Sequence, residues 1–141
     1  MEPIDISGIP PDALLVLDSA PIIYLLEDDP RFRRRFEPIF ESHAAGRVRF
    51  AVTTITIAEV LTGPLSAGEE VLARRYRSVL ESWQVIDMDA AIAESAARMR
   101  SLFRLKLADA VQVASALAIN ADALVTHDRD LSSVTGLRVI S

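Results

Sequence analysis

The chain has no cysteine. That excludes a disulfide framework and a thiolate centre, and it fits a cytoplasmic protein. Histidine is scarce, at His43 and His127 only, and Lys106 is the single lysine. No apolar run extends for about 18 residues without a charge, so no membrane-crossing segment is expected. The opening MEPIDISGIPPDA is acidic and proline-rich, unlike a secretory signal. It reads as a short tail over residues 1–13, ahead of one domain over 14–141. No internal repeat, low-complexity tract or long linker is present.

A positive net charge is also missing. Fifteen basic residues face 20 acidic ones, for a net charge of −5. Such a chain is not held to nucleic acid by bulk charge. Local patches and bound cations can still offset the mean, so the balance does not exclude a nuclease. The arginines are clustered at Arg31, Arg33, Arg34 and Arg35, at Arg74, Arg75 and Arg77, and at Arg98, Arg100 and Arg104 with Lys106. Half of the 141 residues are hydrophobic, enough for the core of one domain. A mean hydropathy of +0.26 implies apolar surface left to bury against a second copy or a partner.

The stretch LLVLDSAPIIYLLEDD contains two apolar patterns separated by Asp18. Leu14 to Leu17 suits a strand buried on both faces. Ser19-Ala20-Pro21 opens a helix, with Ser19 or Ala20 at its cap; Asp18 could itself be that cap. Phe32, Phe36, Ile39 and Phe40 repeat at helical spacing, so a second helix runs to near Gly46 and is kinked at Pro38. VRFAVTT is a second strand. ITIAEVLTG is a short helix or turn closed by Gly63-Pro64. Ser66 and Glu69 stand in capping-box spacing before the next helix. QVIDMD, DALVTHD and LRVIS complete the strands. Between the first two of these lie a helix capped by Asp87 or Asp89 and an apolar helix from LKLADAVQVASALAINA. Alternating strands and helices predict an α/β three-layer sandwich, with a parallel sheet of four to five strands flanked by helices.

Four acids interrupt apolar contexts: Asp18, Glu59, Asp109 and Asp128. Asp18 and Asp128 each follow an apolar strand, and parallel strands end on one edge. Glu59 follows the second strand closely, and Asp109 lies near the start of the buried helix. Each has a plain alternative: Glu59 could face solvent, Asp109 could pair with Lys106 one turn earlier, and Asp128 could form a turn. His127 reads as an exposed turn residue. Together the acids would repel one another, and burial would raise their pKa values. A divalent cation relieves that cost, since magnesium and manganese prefer carboxylate oxygens. A carboxylate cluster with no thiol and little histidine points to metal-assisted phosphodiester hydrolysis.

In order and spacing, LVLDSAPIIYLLE, TTITIAEVLTGP, LADAVQVASAL and ADALVTHDRDL resemble the PIN-domain ribonucleases, most closely the VapC toxins of toxin–antitoxin pairs. The resemblance runs from about Leu15 onward and implies a PIN-like fold and RNA cleavage with Mg2+ or Mn2+. Asp18, Glu59, Asp109 and Asp128 match the catalytic acids, of which Asp18, Asp109 and Asp128 would hold metal. Ser19 and Thr126 match hydroxyls beside the first and fourth acids. Asp130 is a second candidate for the fourth acid. Pro21 replaces a small polar residue, and FRLKLAD lacks a glycine often found there. The family further implies a cognate antitoxin and a homodimer. Arg104 and Lys106, the cations nearest Asp109 in sequence, are candidate RNA contacts.

Three other readings compete. A haloacid dehalogenase-like phosphatase would carry Asp-x-Asp, yet Ala20 stands two residues after Asp18. A receiver domain would need an acidic pair before its phosphorylated aspartate and a lysine at a late strand end, and the only lysine is Lys106. A PIN-like binding module without activity would have lost an acid, and all four are present.

Overall fold

The computed structural model describes residues 2–141. They form five strands and six α-helices: β1 (Ala13–Leu17), α1 (Ser19–Leu26), α2 (Arg33–Ala44), β2 (Val48–Thr53), α3 (Thr54–Ser66), α4 (Glu70–Glu81), β3 (Gln84–Ile86), α5 (Ala90–Phe103), α6 (Leu107–Ala118), β4 (Ala123–Val125) and β5 (Val139–Ile140). A short 3-10 turn covers Arg129–Ser133. The strands form one sheet in the order β3-β2-β1-β4-β5, and every pairing is parallel. This is the three-layer sandwich expected from the alternation.

Central β1 explains the layers. Every residue of ALLVL is buried, and its side chains alternate between two cores. Leu15 and Leu17 pack with Ile22, Phe36, Ile39, Val60 and Leu80 on the face covered by α1 to α4. Leu14 and Val16 pack with Ile92, Ala96 and the small residues of α6 on the other face. Ile4 is also buried in the first core, and its backbone N–H donates to Arg35 O at 2.9 Å.

After β1 the chain builds outward through β2 to β3, then crosses to the other side of β1 for β4 and β5. The strand order therefore switches between β1 and β4. A crevice opens at such a point, beyond the carboxyl ends of the two strands.

Several boundaries differ from expectation. Of the caps read for α1, Asp18 is the one formed, its Oδ1 accepting from Ser19 N, and not Ser19 or Ala20. α2 continues through Pro38. α3 does not close at Gly63-Pro64 but runs on to Ser66. Ser66 thus ends one helix instead of opening the next, and Glu69 makes no side-chain cap for α4. Gly68, with φ of +72°, turns the chain between them. Asp89, not Asp87, caps α5 by accepting from Ile92 N at 2.8 Å.

Candidate active site

The crevice beyond β1 and β4 is a cleft of about 460 Å³. Asp18, Ser19, Glu59, Asp109, Thr126 and Asp128 all line it, as do Tyr24, His127, Arg129 and Asp130. Acids separated by over a hundred residues thus meet because the parallel strands deliver their ends to one edge.

Each acid is placed by its element. Asp18 is the first residue past β1 and the N-cap of α1, so the capping and cleft readings are both correct. Its backbone N–H continues the ladder onto Val125 O at 2.8 Å. Glu59 lies on α3, whose N-cap Thr53 accepts from Thr56 N at 3.1 Å. Asp109 lies in the first turn of α6, where the positive end of the helix dipole favours a carboxylate. Asp128 caps the 3-10 turn by accepting from Asp130 N at 2.9 Å.

Asp18 is the best-held of the four. Its Oδ1 accepts from Ser19 N at 2.8 Å and from Gln112 Nε2 at 2.9 Å. Its Oδ2 accepts from Thr126 Oγ1 at 2.9 Å. Gln112 is fixed in turn by donating to Thr56 Oγ1 at 2.6 Å and accepting from Thr53 Oγ1 at 2.8 Å. Thr126 Oγ1 also accepts from Asp128 N at 3.0 Å, tying the first acid to the fourth. Thr53, Thr56, Gln112 and Thr126 are all buried. A buried network with its partners satisfied sets side-chain positions firmly.

Gln112 is a residue supporting the site that the sequence reading overlooks. Its signal is its place as a lone amide within the apolar run LADAVQVASAL, on a helix buried from Ala110 to Ala116. A buried amide needs partners, and Asp18 is one of them.

The electrostatics are those of crowded negative charge. Asp109 is pushed up from 3.8 to about 6, first by burial and then by the charges of Asp128 and Asp18. Lys106 pulls the other way, although the two residues form no ion pair among the described residues. Glu59, at the cleft rim, is raised by partial burial and by Asp18, while a hydrogen bond with Ser19 opposes the rise. Asp128 is half-buried and acts directly on Asp109; Asp130 is exposed at the mouth.

His127 is half-buried, not an exposed turn residue. It shares a hydrogen bond with Tyr24 Oη through Nδ1 at 2.8 Å. Phe32 and Phe36 meet the imidazole edge-on, with centroids 5.0 and 5.6 Å away.

Arg104 and Lys106 do not line the acidic cleft. They line an adjoining depression, whose other walls include Asp109, Arg129 and Asp130. Arg104 takes the left-handed conformation, with φ of +55°, at the end of α5. That is the conformation a glycine would supply in this turn.

Among the described residues, no group of three or more His, Cys, Asp or Glu side chains stands close enough together to hold an ion. The donor chemistry nonetheless fits a hard cation: carboxylate oxygens in excess of nearby positive charge, with Asp109 and Glu59 both raised, first by burial and then by the charge of neighbouring acids.

A family model described as the PIN domain matches residues 15–137. The chain is therefore a member of the PIN-domain family. Among solved structures, it is similar to a toxin–antitoxin complex from Klebsiella pneumoniae, with 24% identity and a TM-score of 0.71 over 90% of this chain and 96% of that one. VapBC-1 from nontypeable Haemophilus influenzae matches at 21% identity and a TM-score of 0.70, over 89% and 96% of the two chains. A sarcin–ricin loop-cleaving VapC toxin from Mycobacterium tuberculosis matches at 13% identity and a TM-score of 0.70, over 90% and 99%. At these identities the likeness establishes the shared fold. No curated protein matches the chain.

Proposed function

We propose that the protein is a metal-dependent endoribonuclease and the toxin of a toxin–antitoxin pair. The observation that carries this reading is the convergence of Asp18, Glu59, Asp109 and Asp128 on one cleft at the switch point of a PIN-family sheet. Asp18, Asp109 and Asp128 would hold Mg2+ or Mn2+. When bound, the cation would supply positive charge to the phosphate oxygens and acidify a water for attack.

The chain's own residues have separable tasks. Ser19 N, Gln112 and Thr126 orient the Asp18 carboxylate, so its lone pairs are aimed before any ligand arrives. Asp128 is held at the mouth by Thr126 and by its own cap to Asp130 N. Glu59 completes the acidic wall, and Ser19 steadies it. Arg104 and Lys106 present positive charge beside Asp109, where an approaching RNA backbone passes from bulk repulsion to local attraction.

The antitoxin reading draws support from structural neighbours that are a toxin–antitoxin complex and VapBC-1. It also draws on exposed Leu65, Val71 and Val79 of the neighbouring helices α3 and α4, which a partner helix or a second copy would cover. A catalytically silent binding module is the second reading, and the intact acid set speaks against it.

The test is RNA cleavage with magnesium and with chelator, beside growth on expression alone. We expect cleavage only with the metal, arrest of growth, and rescue by the neighbouring antitoxin gene. Vigorous growth with folded, metal-bound protein would contradict the toxin reading. Absence of any metal-dependent cleavage would contradict the enzyme reading.

A further inference from the structure

The acidic cleft is rich in acceptors and poor in free donors. Thr126 Oγ1 donates to Asp18, and Ser19 is engaged with Glu59. Tyr24 Oη and His127 Nδ1 are joined at 2.8 Å. Of the side chains lining the cleft, that leaves exposed Arg129 and the second ring nitrogen of His127, Nε2. The bond to Tyr24 is the only one the imidazole makes among the described residues. Nε2 is also not among their buried polar atoms left without a partner. It therefore opens to solvent, from a residue that lines the cleft.

Tyr24 sets which nitrogen carries the ring proton. Burial and the charge of Asp29 raise the phenol, so Oη keeps its hydrogen. Nδ1 is its only acceptor among the described residues, and Nδ1 accepts only when bare. The ring proton then sits on Nε2, which becomes a donor. The opposite tautomer would leave the phenol hydrogen without an acceptor in the protein. The ring plane is fixed as well. Tyr24, Phe32 and Phe36 meet the imidazole at 84°, 64° and 79°, with centroids 5.5, 5.0 and 5.6 Å away, and Phe36 is fully buried.

We propose that His127 is a substrate-contacting residue, whose Nε2–H donates to a non-bridging phosphate oxygen of a single-stranded RNA lying in the acidic cleft, and that Tyr24 positions it. The inference rests on the ribonuclease reading and deepens it. A phosphodiester drawn among carboxylates needs donors as well as a cation, and a donor aimed in advance loses little freedom on binding. His127 stands between Thr126, which holds Asp18, and Asp128, so the contact falls beside the acids.

The test compares two amides. Asn reaches only as far as Nδ1, so His127→Asn keeps a partner for Tyr24 and loses the outer donor. Gln carries an N–H out to the reach of Nε2, so His127→Gln keeps it. Binding is read by fluorescence anisotropy with labelled single-stranded oligo(U) and oligo(A) in calcium buffer. His127→Asn should weaken binding of both RNAs about tenfold, the loss of a hydrogen bond to a charged acceptor, and His127→Gln should stay within about threefold of wild type. Tyr24→Phe should populate both tautomers and weaken binding about twofold. Equal losses in the Asn and Gln variants, following their melting temperatures, would reduce His127 to packing and overturn the inference. A loss confined to one RNA would assign Nε2 to a base edge and equally overturn it. Full affinity in both variants would overturn it while wild-type binding leaves the ribonuclease reading standing; no RNA binding by folded wild type would overturn both. Should either variant fail to fold, long-range proton–nitrogen NMR of the wild type, which has only two histidines, gives the answer. Nδ1 of His127 should be the bare nitrogen, and the Nε2 signal should move on adding RNA. A proton on Nδ1, or an Nε2 signal that RNA leaves in place, would overturn the inference.

Discussion

Replacing Asp109 by Asn should stabilise the protein in chelator while removing its function. Asp109 is raised from 3.8 to about 6 by burial, Asp128 and Asp18. A rise of that size corresponds to about 3 kcal/mol in full. The carboxyl is half-exposed, and screening by water cuts the figure to roughly 1 to 2 kcal/mol. Loss of an acid from the first turn of α6 takes back about 0.5 kcal/mol. A net gain of about 1 kcal/mol remains, worth about 4 °C in melting temperature for a chain of this size. Between the unfolded and folded pKa values the folded protein binds more protons than the unfolded chain. Stability contributed by Asp109 therefore falls as pH rises from about 4 to about 6, and the cost is complete above that window. Thermal melts by circular dichroism in chelator, at pH 8 and pH 4, test this. The Asn variant should melt higher than wild type at pH 8 and equal it at pH 4. A variant that melts at or below wild type at pH 8, or whose gain does not depend on pH, would refute the repulsion argument.

Two other substitutions probe the same site. Asp128→Asn should lose most metal affinity and cleavage, and Asp130→Asn little, because Asp128 acts on Asp109 while Asp130 is exposed; calorimetry and RNA cleavage would report the ranking, and its reversal would move the fourth acid to Asp130. Gln112→Leu strips Asp18 of one donor and leaves Thr53 Oγ1 only its longer bond to Thr56 Oγ1, so it should cost about 2 kcal/mol in urea unfolding and weaken manganese binding; full metal affinity in a destabilised variant would reduce Gln112 to a packing role.

The parts that the sequence reveals have a common cause. Asp18 and Asp128 stand out because each follows an apolar strand, Asp18 directly after β1 and Asp128 three residues after β4, and a parallel sheet then brings them together without further information. Local signals fail where a distant or strained feature decides. The Ser66–Glu69 spacing matches a capping box, but Gly68 with its positive φ reverses the chain between the two residues. Pro64 suggests a stop, yet α3 runs through it to Ser66 and forgoes the N–H bond that another residue there would make to Val60 O. The α5–α6 turn lacks a glycine, and Arg104 takes the left-handed conformation instead, at about 1 kcal/mol. His127 and Gln112 gain their roles from partners remote in sequence, Tyr24 and Asp18, which no spacing rule identifies.

Manganese titration calorimetry on wild type and Asp18→Asn bears hardest on the idea that these carboxylates form a cation site. Asn keeps the volume and can still meet Thr126, so the fold should survive, as circular dichroism would verify. Wild type should bind the ion, and the Asn variant should bind it at least tenfold more weakly. Equal affinity in the two folded proteins would place the metal elsewhere and contradict the assignment of Asp18.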